Sequence, residues 1–217
     1  MRKTVHLLAI FMSFTTLSQA QISRGKWLTG GQVSFGNSSQ ETTDNTLSSN
    51  NAEFLLSLGR VVRENRVLGG NFSFNTSIGE FASGTAVAEN RNQSFGAGIF
   101  YRAYKPLGHE FYLFGQANAD LLWGTNNIDF EDNINDEEGK RFGGSLSVTP
   151  GIAYALFPKF HLELTLPGLF GIQYVEGKKT YGNPQRPELT ERQFSGYTRI
   201  SNNGSAGLLG VGFRLLL

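Results

Sequence analysis

Residues 142–156 read Phe142-Gly143-Gly144-Ser145-Leu146-Ser147-Val148-Thr149-Pro150-Gly151-Ile152-Ala153-Tyr154-Ala155-Leu156. One parity is mostly bulky and apolar: Phe142, Leu146, Val148, Ile152, Tyr154 and Leu156. The other is small or polar: Gly143, Ser145, Ser147, Thr149, Gly151, Ala153 and Ala155. A period of two means a β-strand with a different environment on each face. The run is about three times the roughly 5–6 residues of a usual soluble strand. The same two-faced pattern recurs along the chain, so the fold is decided by how such strands associate.

Parity and breakers divide the sequence into eight expected strands. They are 27–36, 52–62, 67–78, 93–104, 110–122, 142–156, 160–175 and 205–217. Three connections are tight: Arg63–Arg66, Lys105–His109 and Phe157–Lys159. Four are long, near 37–51, 79–92, 123–141 and 176–204, and are rich in Asn, Ser, Thr, Gly or charge. Long and short connections alternate. In an up-and-down sheet that order puts every long connection at one end and every tight turn at the other. The expected fold is therefore all-β, an eight-stranded antiparallel up-and-down transmembrane β-barrel.

Side-chain size sets the expected direction of the faces. On the seventh segment Phe160, Leu162, Leu164, Leu166, Phe170 and Ile172 oppose His161, Glu163, Thr165, Gly171 and Gln173. On the eighth, Leu209, Val211, Phe213, Leu215 and Leu217 oppose Gly210, Gly212 and Arg214. A lipocalin-like soluble barrel would put the apolar face inside. A dry interior holding Asp120, Glu163 and Arg214 would be costly unless they were paired. The bulky face is therefore expected to meet lipid. Tyr101, Phe111 and Phe160 fall near the turn end, with Phe35, Trp123, Phe142 and Tyr174 near the loop end, as in the aromatic girdles of such barrels. Arg60, on the apolar parity of the second strand, is expected to snorkel at the turn-end rim.

The N-terminus points to export. Arg2 and Lys3 precede an apolar stretch, Leu7–Leu17, and Ser18-Gln19-Ala20 supplies small residues for cleavage after Ala20. The expected organisation is a signal peptide, 1–20, and one barrel domain, 21–217. With no Cys there is neither disulfide nor thiol chemistry, and no lipid-bearing Cys at the junction. A net charge of +1 makes no case for nucleic acid. A mean hydropathy of −0.23 argues against a helical membrane bundle, but suits a barrel in which only alternate residues face lipid.

The chain resembles the small outer-membrane barrels of the OmpA/OmpX type, within the broad outer-membrane β-barrel domain family that includes PorT-like proteins. The resemblance rests on the export signal, the strand–turn–loop rhythm and the ending Gly207-Leu208-Leu209-Gly210-Val211-Gly212-Phe213-Arg214-Leu215-Leu216-Leu217. Such barrels usually end on an aromatic that the outer-membrane assembly machinery reads. Here the last residue is Leu217 and the nearest aromatic is Phe213. The resemblance implies outer-membrane localisation and a structural or surface-interaction role in the cell envelope. It carries no catalytic motif. The alternatives are an accessory barrel of a secretion or assembly system and a narrow channel for ions or small solutes.

The candidate site lies inside. Arg102, His161, Glu163 and Arg214 share the inward parity near the turn end and are expected to form a lumenal ion-pair cluster. With Phe160 opposite Leu217, Glu163 would face Arg214. The cluster reads as a structural plug, with a gate for small ions as the sharper alternative. Asp129, Glu131, Asp132, Asp136, Glu137 and Glu138 crowd the third long loop, but Ile134 sits where an EF-hand needs Gly, so a solvated acidic loop is expected and no metal site. Lys178, Lys179, Arg186, Arg192 and Arg199 on the fourth loop are suited to lipopolysaccharide phosphates, to pairing with the acidic loop, or simply to solvent. Only His109 and His161 follow the cleavage site, neither with a Ser in evident reach, so no enzyme and no cofactor are expected. Membrane lipids are the expected partners, alongside a protein partner that the sequence does not identify. The expected state is a monomer.

Overall fold

The structure, a computed structural model, describes residues 22–42, 45–83, 86–130, 137–183, 185–198 and 209–217. The proposed signal peptide lies outside the described residues. Every element is a strand: β1 (Trp27–Thr42), β2 (Asn45–Arg63), β3 (Arg66–Ser83), β4 (Ala86–Gly108), β5 (Phe111–Phe130), β6 (Glu137–Phe157), β7 (Phe160–Thr165), β8 (Phe170–Tyr181), β9 (Leu189–Thr198) and β10 (Leu209–Leu216). Each pairs antiparallel with its neighbour, and β10 pairs with both β7 and β1, closing a ring. The seventh stave is β7 continued by β8, and the eighth is β9 continued by β10, which gives a barrel of eight staves. At the seam Trp27 and Leu217 exchange two backbone hydrogen bonds of 2.9 Å.

The staves are longer than apolar alternation foretells. The first three long connections are mostly strand, with β1 and β2 paired out to Thr42–Asn45 and β3 and β4 out to Ser83–Ala86. Alternation fades there because both faces become polar, while the backbone ladder continues. The fourth expected loop likewise contains the end of β8 and all of β9. The tight turns are shorter than expected. His109 and Glu110 have φ of 49° and 67°, the positive values that a two-residue type I′ hairpin requires at both central positions.

Stave seven is not continuous. Gly151 faces Thr165 and Val148 faces Phe170, so Thr149 and Pro150 oppose four residues, 166–169. Pro150 has no N–H to donate, and proline within a sheet belongs at an edge or a bulge. The bulge is tied down by Leu166 N–H to Pro150 O and Gly168 N–H to Thr149 Oγ1, both 3.0 Å. It pushes Pro167 and Gly168 into the lumen, where both are buried.

Burial is inverted relative to a soluble domain. Among the described residues, 35 large apolar side chains are exposed and 12 apolar residues are buried. Trp27, Phe35, Tyr101, Phe111, Trp123, Phe142 and Tyr174 are all exposed on the outer face. Arg60 lies with its Cζ 6.0 Å from the Trp27 ring, at the turn-end rim.

Candidate functional site

The interior is layered along its axis. At the turn end it is apolar, contrary to the expectation of a small or polar inner face throughout. Leu28, Val61, Val67, Phe100, Phe114 and Leu216 are buried there. Phe100 and Phe114 share the inward parity of Arg102 and Gln116, so alternation already points them inward. Their size is tolerated because glycines lie opposite. A Cβ at Gly69 would lie 2.7 Å from Phe100 Cε1, and one at Gly59 3.0 Å from Phe100 Cζ. Phe114 occupies the equivalent space over Gly151. Ile22 seals the floor from below. Its N–H reaches Asn65 Oδ1 at 3.0 Å and its carbonyl accepts from Asn65 N–H at 3.1 Å.

Beside this floor sits the charged cluster. Arg102, His161, Glu163 and Arg214 are each at most 2 % exposed. Arg102 Nη1 lies 2.5 Å from Glu163 Oε1, and Arg214 Nη2 lies 3.4 Å from Glu163 Oε2. Tyr104 hydroxyl bridges Arg102 Nη1 (2.8 Å) and Glu163 Oε1 (3.2 Å). Arg102 Nε donates to Gln116 Oε1 at 2.6 Å, and its Cζ stands 4.3 Å from the Phe114 ring centre. Arg214 Nη1 donates to the carbonyls of Gly31 (3.2 Å) and Phe213 (3.0 Å). His161 stacks on Tyr112, ring centres 5.4 Å apart, and its Nδ1 has no hydrogen-bond partner.

The register differs from the expected one by two residues. Phe160 faces Leu215, not Leu217, so Arg214 faces His161 and Glu163 faces Gly212. A shift of two preserves every side-chain face, whereas a shift of one would turn the whole strand over. Arg214 still reaches Glu163, and Gly212 leaves room opposite it. Tyr104 and Gln116 belong to the cluster too; each stands two positions from a charged or inward polar residue on its own strand, which is the signal that finds them.

Two arginines face one glutamate, so with His161 neutral the cluster carries one excess positive charge. The charge is spread by the Phe114 ring and by backbone carbonyls. From Gln116 a hydrogen-bonded amide chain runs away from the floor, Gln116 Nε2 to Asn118 Oδ1 (2.6 Å) and Asn118 Nδ2 to Ser147 Oγ (3.3 Å). It ends in a lumenal cavity of ≈ 500 Å³ lined by short polar side chains.

At the far end the charged residues pair along the hairpins. Lys178 meets Glu188, Lys179 meets Glu191 and Arg192 meets Glu176, each at 3.0 Å. The hydrogen bond to Glu191 raises the Lys179 ammonium above its ordinary range. On β4 the Arg91 hydrogen bond holds the Glu89 carboxyl below the usual range. Arg186 stands over the Tyr181 ring, with Cζ 5.0 Å from its centre. Glu131, Asp132, Asp136 and Arg199 lie outside the described residues, and among the described residues no cluster of His, Asp and Glu could hold a metal ion.

No family model matches the chain, and no curated protein matches it. Among solved structures it is similar to Neisserial surface protein A, at 13% identity over 91% of this chain and 99% of that one, TM-score 0.44. It is similar to a major outer membrane protein from Thermus thermophilus, at 9% identity over 88% and 99%, TM-score 0.43. A third is the outer membrane protease OmpT from Escherichia coli, at 10% identity over 90% and 92%, TM-score 0.41. At this distance the likenesses transfer neither residue roles nor activities.

Proposed function

We propose that the protein is an integral outer-membrane barrel whose bulky face meets lipid and whose lumen is closed by the floor and the charged cluster. Its role is structural or one of surface interaction in the cell envelope, without catalysis. The observation that carries this reading is the inverted burial: a water-facing protein rarely exposes contiguous apolar surface beyond a few hundred Å². Here the exposed apolar side chains run around the whole ring, while Arg102, Glu163 and Arg214 are buried inside it. Membrane lipids are the primary partners, held by the apolar belt. Lys178, Lys179 and Arg192 serve first to zip the β8–β9 hairpin, so contact with lipopolysaccharide phosphates would have to compete with Glu188, Glu191 and Glu176. Insertion by the outer-membrane assembly machinery and a monomeric state belong to the same reading.

The two tryptophans test it. Trp27 and Trp123 point outward near opposite ends of the apolar belt, 48% and 40% exposed. In vesicles, lipids brominated high on the acyl chain should quench both, and aqueous iodide neither. Iodide quenching of both, or a folded protein that stays soluble without detergent, would overturn the proposal.

A further inference from the structure

We infer that the outer half of the lumen is a binding site for a small uncharged polyhydroxylated solute, of mono- or disaccharide class. An eight-stranded barrel is just wide enough for side chains to fill. The floor half is filled, by Phe100, Arg102, Tyr104 and Phe114. The loop half is not. Inward positions on β3, β4 and β6 there carry Ser73, Ser94, Gly96, Gly98, Ser145 and Ser147. The resulting cavity of ≈ 500 Å³ lies in the range of about 300–1,000 Å³ usual for ligand pockets. A smaller hollow of ≈ 220 Å³ shares Asn75, Ser94, Leu122 and Gln173 with it and continues to Arg141 at the loop end. Below, the charged cluster stops it. The cavity is therefore blind at its turn end.

Its chemistry selects the ligand. Of its 19 lining residues, 13 carry an amide or a hydroxyl, two carry carboxylates and none is Lys, Arg or His. Amides and hydroxyls both donate and accept, which is what vicinal hydroxyls require. Glu53 already has a partner of its own, and Asp120 stands beside the Asn71 amide. They disfavour an anion without forming a vacant cation cage. Asn71 Oδ1 has no hydrogen-bond partner, which leaves an acceptor for an incoming hydroxyl. Tyr197 contributes an aromatic ring to the wall, seated over Gly171, where a Cβ would lie 2.5 Å from the Tyr197 ring. An empty polar cavity fills with water. A polyol can replace those waters while reproducing their hydrogen bonds, which an apolar ligand cannot.

The test titrates the folded, isotope-labelled protein in nanodiscs with glucose, maltose, glucosamine and glucuronate, following the side-chain amides of Asn71, Asn75, Asn118 and Gln173 by NMR. Neutral sugars should give saturable shifts confined to those amides. Glucuronate should bind roughly threefold to tenfold more weakly than glucose, because of Glu53 and Asp120. Ser147→Leu, which fills the cavity, should abolish the shifts. Wild-type shifts that stay linear up to the solubility limit would overturn the inference and leave the cavity to water. Saturation by glucosamine with glucose and maltose silent would also overturn it and reassign the cavity to cations. None of these readouts depends on whether the plug conducts.

Discussion

Glu163 holds two guanidiniums, and the partners are not equivalent. Replacing Glu163 with Gln leaves Arg102 and Arg214 buried without a counter-charge, a change that costs about 3–5 kcal/mol when a buried pair is broken. Replacing Arg214 with Met removes the more weakly held guanidinium and leaves Arg102–Glu163 as a neutral pair. Exchanging buried charge for apolar volume is often close to neutral. The unfolding free energy from urea titration in lipid vesicles should therefore fall steeply for E163Q and by less than about 1 kcal/mol for R214M. Equal losses would mean that the 3.4 Å contact matters as much as the 2.5 Å one. A second residue-scale prediction concerns Glu89. Its carboxyl is held low by Arg91, so its contribution is present above the ordinary carboxylate range and is lost as pH falls through the folded value. The pair is solvent-exposed, where such pairs add little stability. The change to look for is in the titration: R91A should move the Glu89 carboxyl resonance midpoint back up toward the usual range. An unmoved midpoint would show that the pair does not persist in solution.

Between strands, the packing unit is an aromatic ring laid over glycines on the facing strands. Phe100 lies over Gly59 and Gly69, and Phe114 over Gly151. Gly69→Ala would press a methyl into Phe100 and into the Leu58 carbonyl, an overpacking that costs about 1–3 kcal/mol. Phe100→Leu should relieve part of that loss. The double variant should then lose less than the sum of the single losses, the signature of directly coupled neighbours. Strict additivity would place the strain in the backbone alone. The same strands show what alternation can and cannot disclose. It carries the faces of β4 to β7 and of β10, because one face is bulky and the other small. It also brings Arg102, Glu163 and Arg214 to one parity and one depth. It stops where both faces turn polar, which is why the outer parts of β1 to β6 read as loops. It cannot set the β7–β10 register, because shifts of two leave every face unchanged and the connection between those staves is long. The bulge at 166–169 did have a signal: Pro150 cannot complete the ladder, and Pro167-Gly168 stands opposite it.

At the scale of the whole molecule, the layers decide whether the barrel can conduct. A continuous ion path would need polar, hydrated cross-sections from one end to the other. The outer half supplies one, in the amide- and hydroxyl-lined cavity. The inner half closes the lumen with two kinds of barrier. The charged cluster spans it from Arg102 on β4 to Glu163 on β7 and Arg214 on β10, so charges from three staves meet across the axis. Beside it, Leu28, Val67, Phe100 and Phe114 form an apolar layer, and Ile22 caps them. Reversing one charge disturbs the first barrier and leaves the second in place. Planar-bilayer recordings should therefore show no discrete conductance for the wild type, and none for R214E either. A gate would behave differently: its wild type would open at least occasionally, and reversing Arg214 would change the frequency or selectivity of those openings. Steps in the wild type that respond to R214E would displace the plug reading and make the Arg102–Glu163–Arg214 cluster the gate itself.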